Sequence, residues 1–217
     1  MKHLAFAVLL LTLNSFGQDP APTVIDQNVS ANFPGNVRIK DAGEQKTYTS
    51  AIIDGFVILV KSDQQKMPVP VVNESDLYEY YKGFAIGIAK TLHGEVLMQS
   101  DMISSGLLMS QFRCRGIVNG KSQIISGSLV FVKKNIYTIL SWPADKNTPE
   151  FEQERDKIIS SIKFNPALTE ADQYTKTTTL ATTAYGMVAK GFAMLILFGA
   201  FSVVAWLIYR QRSSVDQ

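Results

Sequence analysis

Hydrophobic and polar positions divide this chain into two long apolar runs at its ends and a patterned middle. The longer run, GFAMLILFGAFSVVAWLIY from Gly191 to Tyr209, holds nineteen residues and no charge. At about 1.5 Å per residue a helix of that length reaches roughly 28 Å, close to the hydrocarbon thickness of a bilayer. Lys190 precedes it, and Arg210 and Arg212 follow it. Trp206 and Tyr209 lie at the arginine end, where amphipathic rings favour the headgroup level. The run predicts one transmembrane helix over residues 191–209, with 210–217 as a short tail. The second run, Leu4 to Leu13, spans only about half a bilayer. Behind Lys2 and ahead of Ser15 and Gly17, it has the parts of a secretory signal over residues 1–17, cut before Gln18. An exported N-terminus and arginines beyond the second run give a single-pass, type I topology. The bulk of the chain is then extracytoplasmic, periplasmic in a Gram-negative bacterium, and the tail cytoplasmic.

Between these runs the periodicity changes several times. Residues 18–28 are polar and proline-containing and read as a flexible leader. A short strand is expected near Ser30 to Pro34. TYTSAII and FVILV are β-rich runs flanking Asp54-Gly55, which predicts a hairpin with a type I′ turn. Gln64 to Val72 contains Pro68 and Pro70 and reads as a loop. Leu77, Tyr81, Phe84, Ile88 and Leu92 then recur at spacings of four and three, the apolar face of a helix capped near Ser75 or Asp76. Glu79, Lys82, Lys90 and His93 fall on its other side. Gly83 and Gly87 lower its propensity by about 1 kcal/mol each, so close packing is expected on that flank.

From Leu97 to Trp142 the period is two. Asn119-Gly120 is a second type I′ signal, and it pairs Ile117 with Ser122, Arg115 with Ile124 and Arg113 with Ser126. One face then carries Phe112, Cys114, Ile125, Leu129 and Phe131. The other carries Gln111, Arg113, Arg115, Ser126 and Ser128. A turn at Lys134-Asn135 returns NIYTILSW as the next strand. Thr148 and Pro149 then start a final helix, with Phe151, Arg155, Ile158, Ile159 and Ile162 as an apolar stripe broken by one arginine. Pro166 closes the domain, taken as residues 29–165, and residues 166–190 read as a threonine-rich tether. Strands, a helix, several strands and a helix make an α+β domain with an antiparallel sheet.

Charge narrows the function. The chain has 21 Lys and Arg against 19 Asp and Glu. Removing Lys2, Arg210, Arg212 and Asp216 leaves eighteen of each in the exported segment, which argues against a nucleic-acid surface. The single cysteine, Cys114, leaves the domain to its hydrophobic core, without an internal disulfide.

Two stretches carry a family resemblance. GSLVFVKKNIYTILSWP is similar to the strand-turn-strand with a central tyrosine of the PsbP/Mog1-like α/β/α sandwich. FEQERDKIISSIKF is similar to that family's final helix, with Ile162 and Lys163 interrupting the ending. The likeness spans about Val29 to Phe164 and implies helices on both faces of an antiparallel sheet. It also implies a binding or assembly role and no shared catalytic residues.

Candidate chemistry is sparse. Cys114 and His93 pose a nucleophile pair, but Cys114 falls on the apolar strand face, where a thiol acts as a small hydrophobe. One cysteine and one histidine do not make a zinc site, and no acidic calcium loop or phosphate-cradling glycine loop occurs. Glu150, Glu152, Glu154 and Asp156 read as the solvated start of a helix. Sequons at Asn28 and Asn73 bear only on a eukaryotic host. The expected function is therefore a non-catalytic, membrane-anchored module that recruits or stabilises a protein partner, without cofactor, metal or nucleic acid. The alternative is a hydrolase-like enzyme with an unrecognised site. The candidate partner surface is the row Gln111, Arg113, Arg115, Ser126 and Ser128. It is either free, or covered by a helix and paired with acidic residues.

Overall fold

The computed structural model describes residues 21–64, 71–118 and 120–175. The predicted signal (1–17) and transmembrane helix (191–209) lie outside them. No helix among the described residues is long and apolar enough to cross a membrane.

Among the described residues ten strands and two helices follow one another: β1 (Thr23–Val24), β2 (Val29–Ala31), β3 (Arg38–Asp41), β4 (Gln45–Ile52), β5 (Gly55–Asp63), α1 (Glu74–Thr91), β6 (Glu95–Ser104), β7 (Leu107–Val118), β8 (Lys121–Val132), β9 (Asn135–Pro143), α2 (Pro149–Ser160) and β10 (Lys163–Phe164). A 3-10 turn at Glu170–Gln173 ends the described chain. Seven strands form one antiparallel sheet in the order β3-β4-β5-β9-β8-β7-β6. The chain climbs β3 to β5, crosses over α1 to the far edge, and returns through β6 to β9, which pairs with β5. This is the mixed α+β, antiparallel arrangement expected from the pattern.

The β7–β8 register is the one the Asn119-Gly120 signal dictates, with Ile117 opposite Ser122, Arg115 opposite Ile124 and Arg113 opposite Ser126. Gly120 has the positive φ that such a turn needs, +76°. The other two turns sit one residue earlier than expected. Ile52 pairs with Gly55, so the first loop is Ile53-Asp54, with only Asp54 at positive φ (57°). Gly55 belongs to the strand because a Cβ there would lie 2.4 Å from the Phe151 ring and from the Trp142 carbonyl. Packing, not turn geometry, selects that glycine. Likewise Val132 pairs with Asn135, and Lys133 and Lys134 both take positive φ.

One face of the sheet is closed by α1. The helix is capped by Asn73, two residues before the expected start, whose side chain accepts from the Asp76 N–H at 2.9 Å. Leu77, Tyr81, Phe84, Ile88 and Leu92 are all buried, as their spacing requires, and so are Gly83 and Gly87. They pack on Phe112, Cys114, Ile125, Leu129 and Phe131. The opposite face carries a second core, covered by the three-stranded layer β1-β2-β10 and by α2. Thr148 caps α2 through the Phe151 N–H, and Pro149 occupies its first turn as predicted.

The domain is longer at both ends than residues 29–165. Ile25 is buried, and the Asp26 carboxylate accepts from the Asn28 and Val29 N–H groups and the Tyr137 hydroxyl, and pairs with Lys61 at 2.7 Å. At the other end, Gln173 is fully buried. Leu108 and Phe131 lie just beyond the point where the β7–β8 pairing ends at Met109 and Val130. Gln173 donates to both their carbonyls (2.8 and 3.0 Å) and accepts from the Leu108 N–H (2.7 Å). Tyr81 donates to the Leu108 carbonyl and accepts from the Phe131 N–H. Buried backbone groups must be paired somewhere. Here two side chains replace a missing stretch of ladder.

Candidate functional site

On the second face, α2 contacts β4, β5 and β9 and leaves a cleft beside it. The cleft, about 260 Å³, is bounded by Gln111 and Arg113 of β7, Ser126 and Ser128 of β8, Met98 of β6, and Arg155, Asp156 and Ile159 of α2. The side-chain period of two places the β7 and β8 residues on this face. Opposite them in the ladder, Arg113 stands against Ser126 and Gln111 against Ser128.

Four members of the predicted surface row therefore meet in one cleft, and the fifth does not. Arg115 lies further along β7 and bonds Glu95 of β6 at 2.9 Å, half exposed. A helix does flank Arg113, whose Nη2 stands 3.9 Å from Glu152, yet the arginine side chain keeps 42% of its exposure. At 3.9 Å the pair has Coulomb attraction but no hydrogen bond, so the guanidinium fork keeps donors to offer.

Arg155 joins the site from α2. Its side chain is only 14% exposed, held by Asp156 through Nε and Nη2 at 2.8 Å, with Nη1 3.9 Å from Glu152. Glu152 thus stands between two guanidinium groups. The break in the apolar stripe of α2 was the sequence signal for Arg155. Met98 had no comparable signal, because a β-bulge between Val96 and Met98 sets which face it takes. Arginine donors beside a serine-lined floor are suited to an anionic group, a carboxylate or a phosphate.

The remaining candidates take structural positions. Cys114 is fully buried, and burial pushes its thiol up to about 12. A protonated thiol is a poor nucleophile. His93 is exposed in the turn after α1, with φ 51°. Glu154 accepts from the Ile53 N–H at 2.7 Å, fixing α2 to the β4–β5 turn. Asn28 is buried, and the Asn73 side chain is spent on the helix cap, so each sequon asparagine is occupied by the fold. Among the described residues no group of three or more His, Cys, Asp or Glu is placed to hold a metal ion. A second groove, at the β3–β4 edge beside Asn36, Val37 and Thr49, has Arg38 as its one charged wall residue.

No family model matches the sequence, and no curated protein matches it. Among solved structures, the chain is similar to the solution structure of cyanobacterial PsbP (CyanoP) from Synechocystis sp. PCC 6803. Identity is 12%, the match covers 70% of this chain and 99% of that chain, and the TM-score is 0.49. No residue role is transferred at that distance.

Proposed function

We propose that this chain is a membrane-anchored, extracytoplasmic binding or assembly module without catalytic activity. It holds a protein partner at the membrane surface by taking an acidic group of that partner into the cleft beside Arg113. The observation that carries the reading is a half-exposed guanidinium, without a hydrogen-bonded acid, over a serine-lined floor next to a second arginine. Arginine is enriched at interface centres, where its fork gives directional, two-point contact. The apolar run at 191–209 supplies the anchor and the run at 4–13 the export signal.

A photo-crosslinking residue in place of Gln111 of the full-length chain tests the cleft, with the same residue in place of Lys40 as control. A defined adduct is expected from position 111 only, and it should disappear when Arg113→Glu is added. Identical adducts from both positions, or none from 111, would overturn the reading. Protease applied to the outer membrane face should digest Gln18 to Lys190 and spare a small C-terminal stub. Protection of the domain would contradict the anchoring.

A further inference from the structure

The two edges of the large sheet are built differently. The β3 edge is four residues long and carries Arg38 and Lys40. The β6 edge is ten residues long, and its sequence EVLMQSDMIS has no lysine, arginine or proline. Among the described residues no strand pairs with its outer side. Leu97, Met98, Met102 and Ile103 are 42%, 47%, 43% and 74% exposed. Proteins usually blunt such an edge with charge, proline, bulges or a covering element. Here the bulge lies at one end, between Val96 and Met98, and leaves Met98 to Ser104 regular.

The exposed stretch is a palindrome in polarity. Around Ser100, LMQSDMI reads apolar, apolar, polar, polar, polar, apolar, apolar. An antiparallel pair of two copies centred on Ser100 therefore sets like against like. Within the regular stretch, Met98 falls opposite the partner's Met102 and Gln99 opposite the partner's Asp101. Asp101 meets an amide that can donate to it. A shift of one residue in each copy would oppose the two Asp101 carboxylates, or set Met98 against the partner's Ser100 and lose the methionine pair. Opposed like charges are unfavourable, and an apolar–polar pair forgoes the cross-strand contact. The favoured register also obeys the two-fold symmetry of an isologous dimer.

We infer that β6 is a homodimerisation edge, joining two copies antiparallel about Ser100 into one continuous sheet. The interface is separate from the partner reading of the cleft, although Met98 borders both. The partner's Met102 would extend the cleft wall at that point.

Disulfide trapping tests it in the full-length chain. Opposed Cα atoms in antiparallel strands lie about 4.5–5.5 Å apart, within the span of a disulfide. Mild oxidation of Ser100→Cys should convert most of the chain to a linked dimer. Wild type, with only the buried Cys114, should stay unlinked, and so should Lys40→Cys on the other edge. Adding Met102→Lys to Ser100→Cys should cut the linking rate at least tenfold, and Gln99→Cys should link more slowly than Ser100→Cys. The inference fails if Ser100→Cys does not link, or links no faster than Lys40→Cys. It fails equally if Gln99→Cys links faster, which means another register. Indifference to Met102→Lys would also overturn it, because the copies would then be held elsewhere, for instance through residues 191–209. Unchanged melting temperatures of these exposed variants verify folding.

Discussion

The two helices lie on opposite faces of one sheet and use their lengths differently. The eighteen-residue α1 buries ten of its residues and closes its face completely, so that even the sulfur of Cys114 is inaccessible. The twelve-residue α2 buries only Phe151 and Ile158, and the rest of its inward side borders an open cleft. Stability is concentrated under α1 and the chain ends that reinforce the sheet. Available chemistry is concentrated beside α2. A helix that finishes its face leaves nothing for a partner, and one that stops short leaves arginines with donors to offer.

Substitutions can break this division, and the largest effect is expected at Gln173. Gln173→Ala would strand the buried Leu108 N–H and Phe131 carbonyl and leave the Leu108 carbonyl with Tyr81 alone, at a cost of about 3 kcal/mol. Urea titration of the domain measures it, and a loss below about 1 kcal/mol would mean that the closed side does not depend on this clamp. Asp26→Asn comes next, at about 2 kcal/mol, the scale of hydrogen bonds to a charged group. Burial would raise the Asp26 carboxyl, but hydrogen bonds from Lys61, Tyr137 and the Asn28 N–H outweigh it and hold the group below its ordinary 3.8. Its folded value lies below its unfolded value. The contribution is therefore complete above about pH 4 and fades as pH falls through the folded value. The wild type should lose stability between pH 5 and pH 2 more steeply than Asp26→Asn; parallel curves would remove Asp26 from the account.

Two smaller effects sharpen the contrast. Cys114 should resist a bulky maleimide at pH 8 in the folded domain and react fully only on unfolding, since its thiol is buried and protonated. Rapid labelling would mean that the α1 face opens. Arg115→Ala should change stability by less than about 0.5 kcal/mol, because its bond to Glu95 is solvent-exposed.

Local rules made much of this legible from sequence. The Asn119-Gly120 signal in the sequence implied the pairing of two twelve-residue strands, and so the company of Arg113 and Cys114. The stripe from Leu77 to Leu92 identified α1 because every position on it meets the same core. What escaped was non-local. Gln173 matters through a gap between Leu108 and Phe131, 65 and 42 residues earlier in the chain, and polar residues after Pro166 give no sign of it. The meeting of Arg113 with Arg155 depends on where α2 crosses the sheet, and the strand pattern that sets Arg113 and Arg115 in one row carries no sign of it. Gly55 was read as a turn residue although the Phe151 ring decides it.

The central claim is that the open face, at Arg113, is where a partner binds. Arg113→Glu and Arg115→Glu, compared side by side for melting temperature and for recovery of the Gln111-crosslinked partner, test it most directly. The account predicts near-wild-type melting for both, with partner recovery lost at least tenfold for Arg113→Glu and retained for Arg115→Glu. Equal recovery from the two variants, or unfolding of Arg113→Glu, would contradict it.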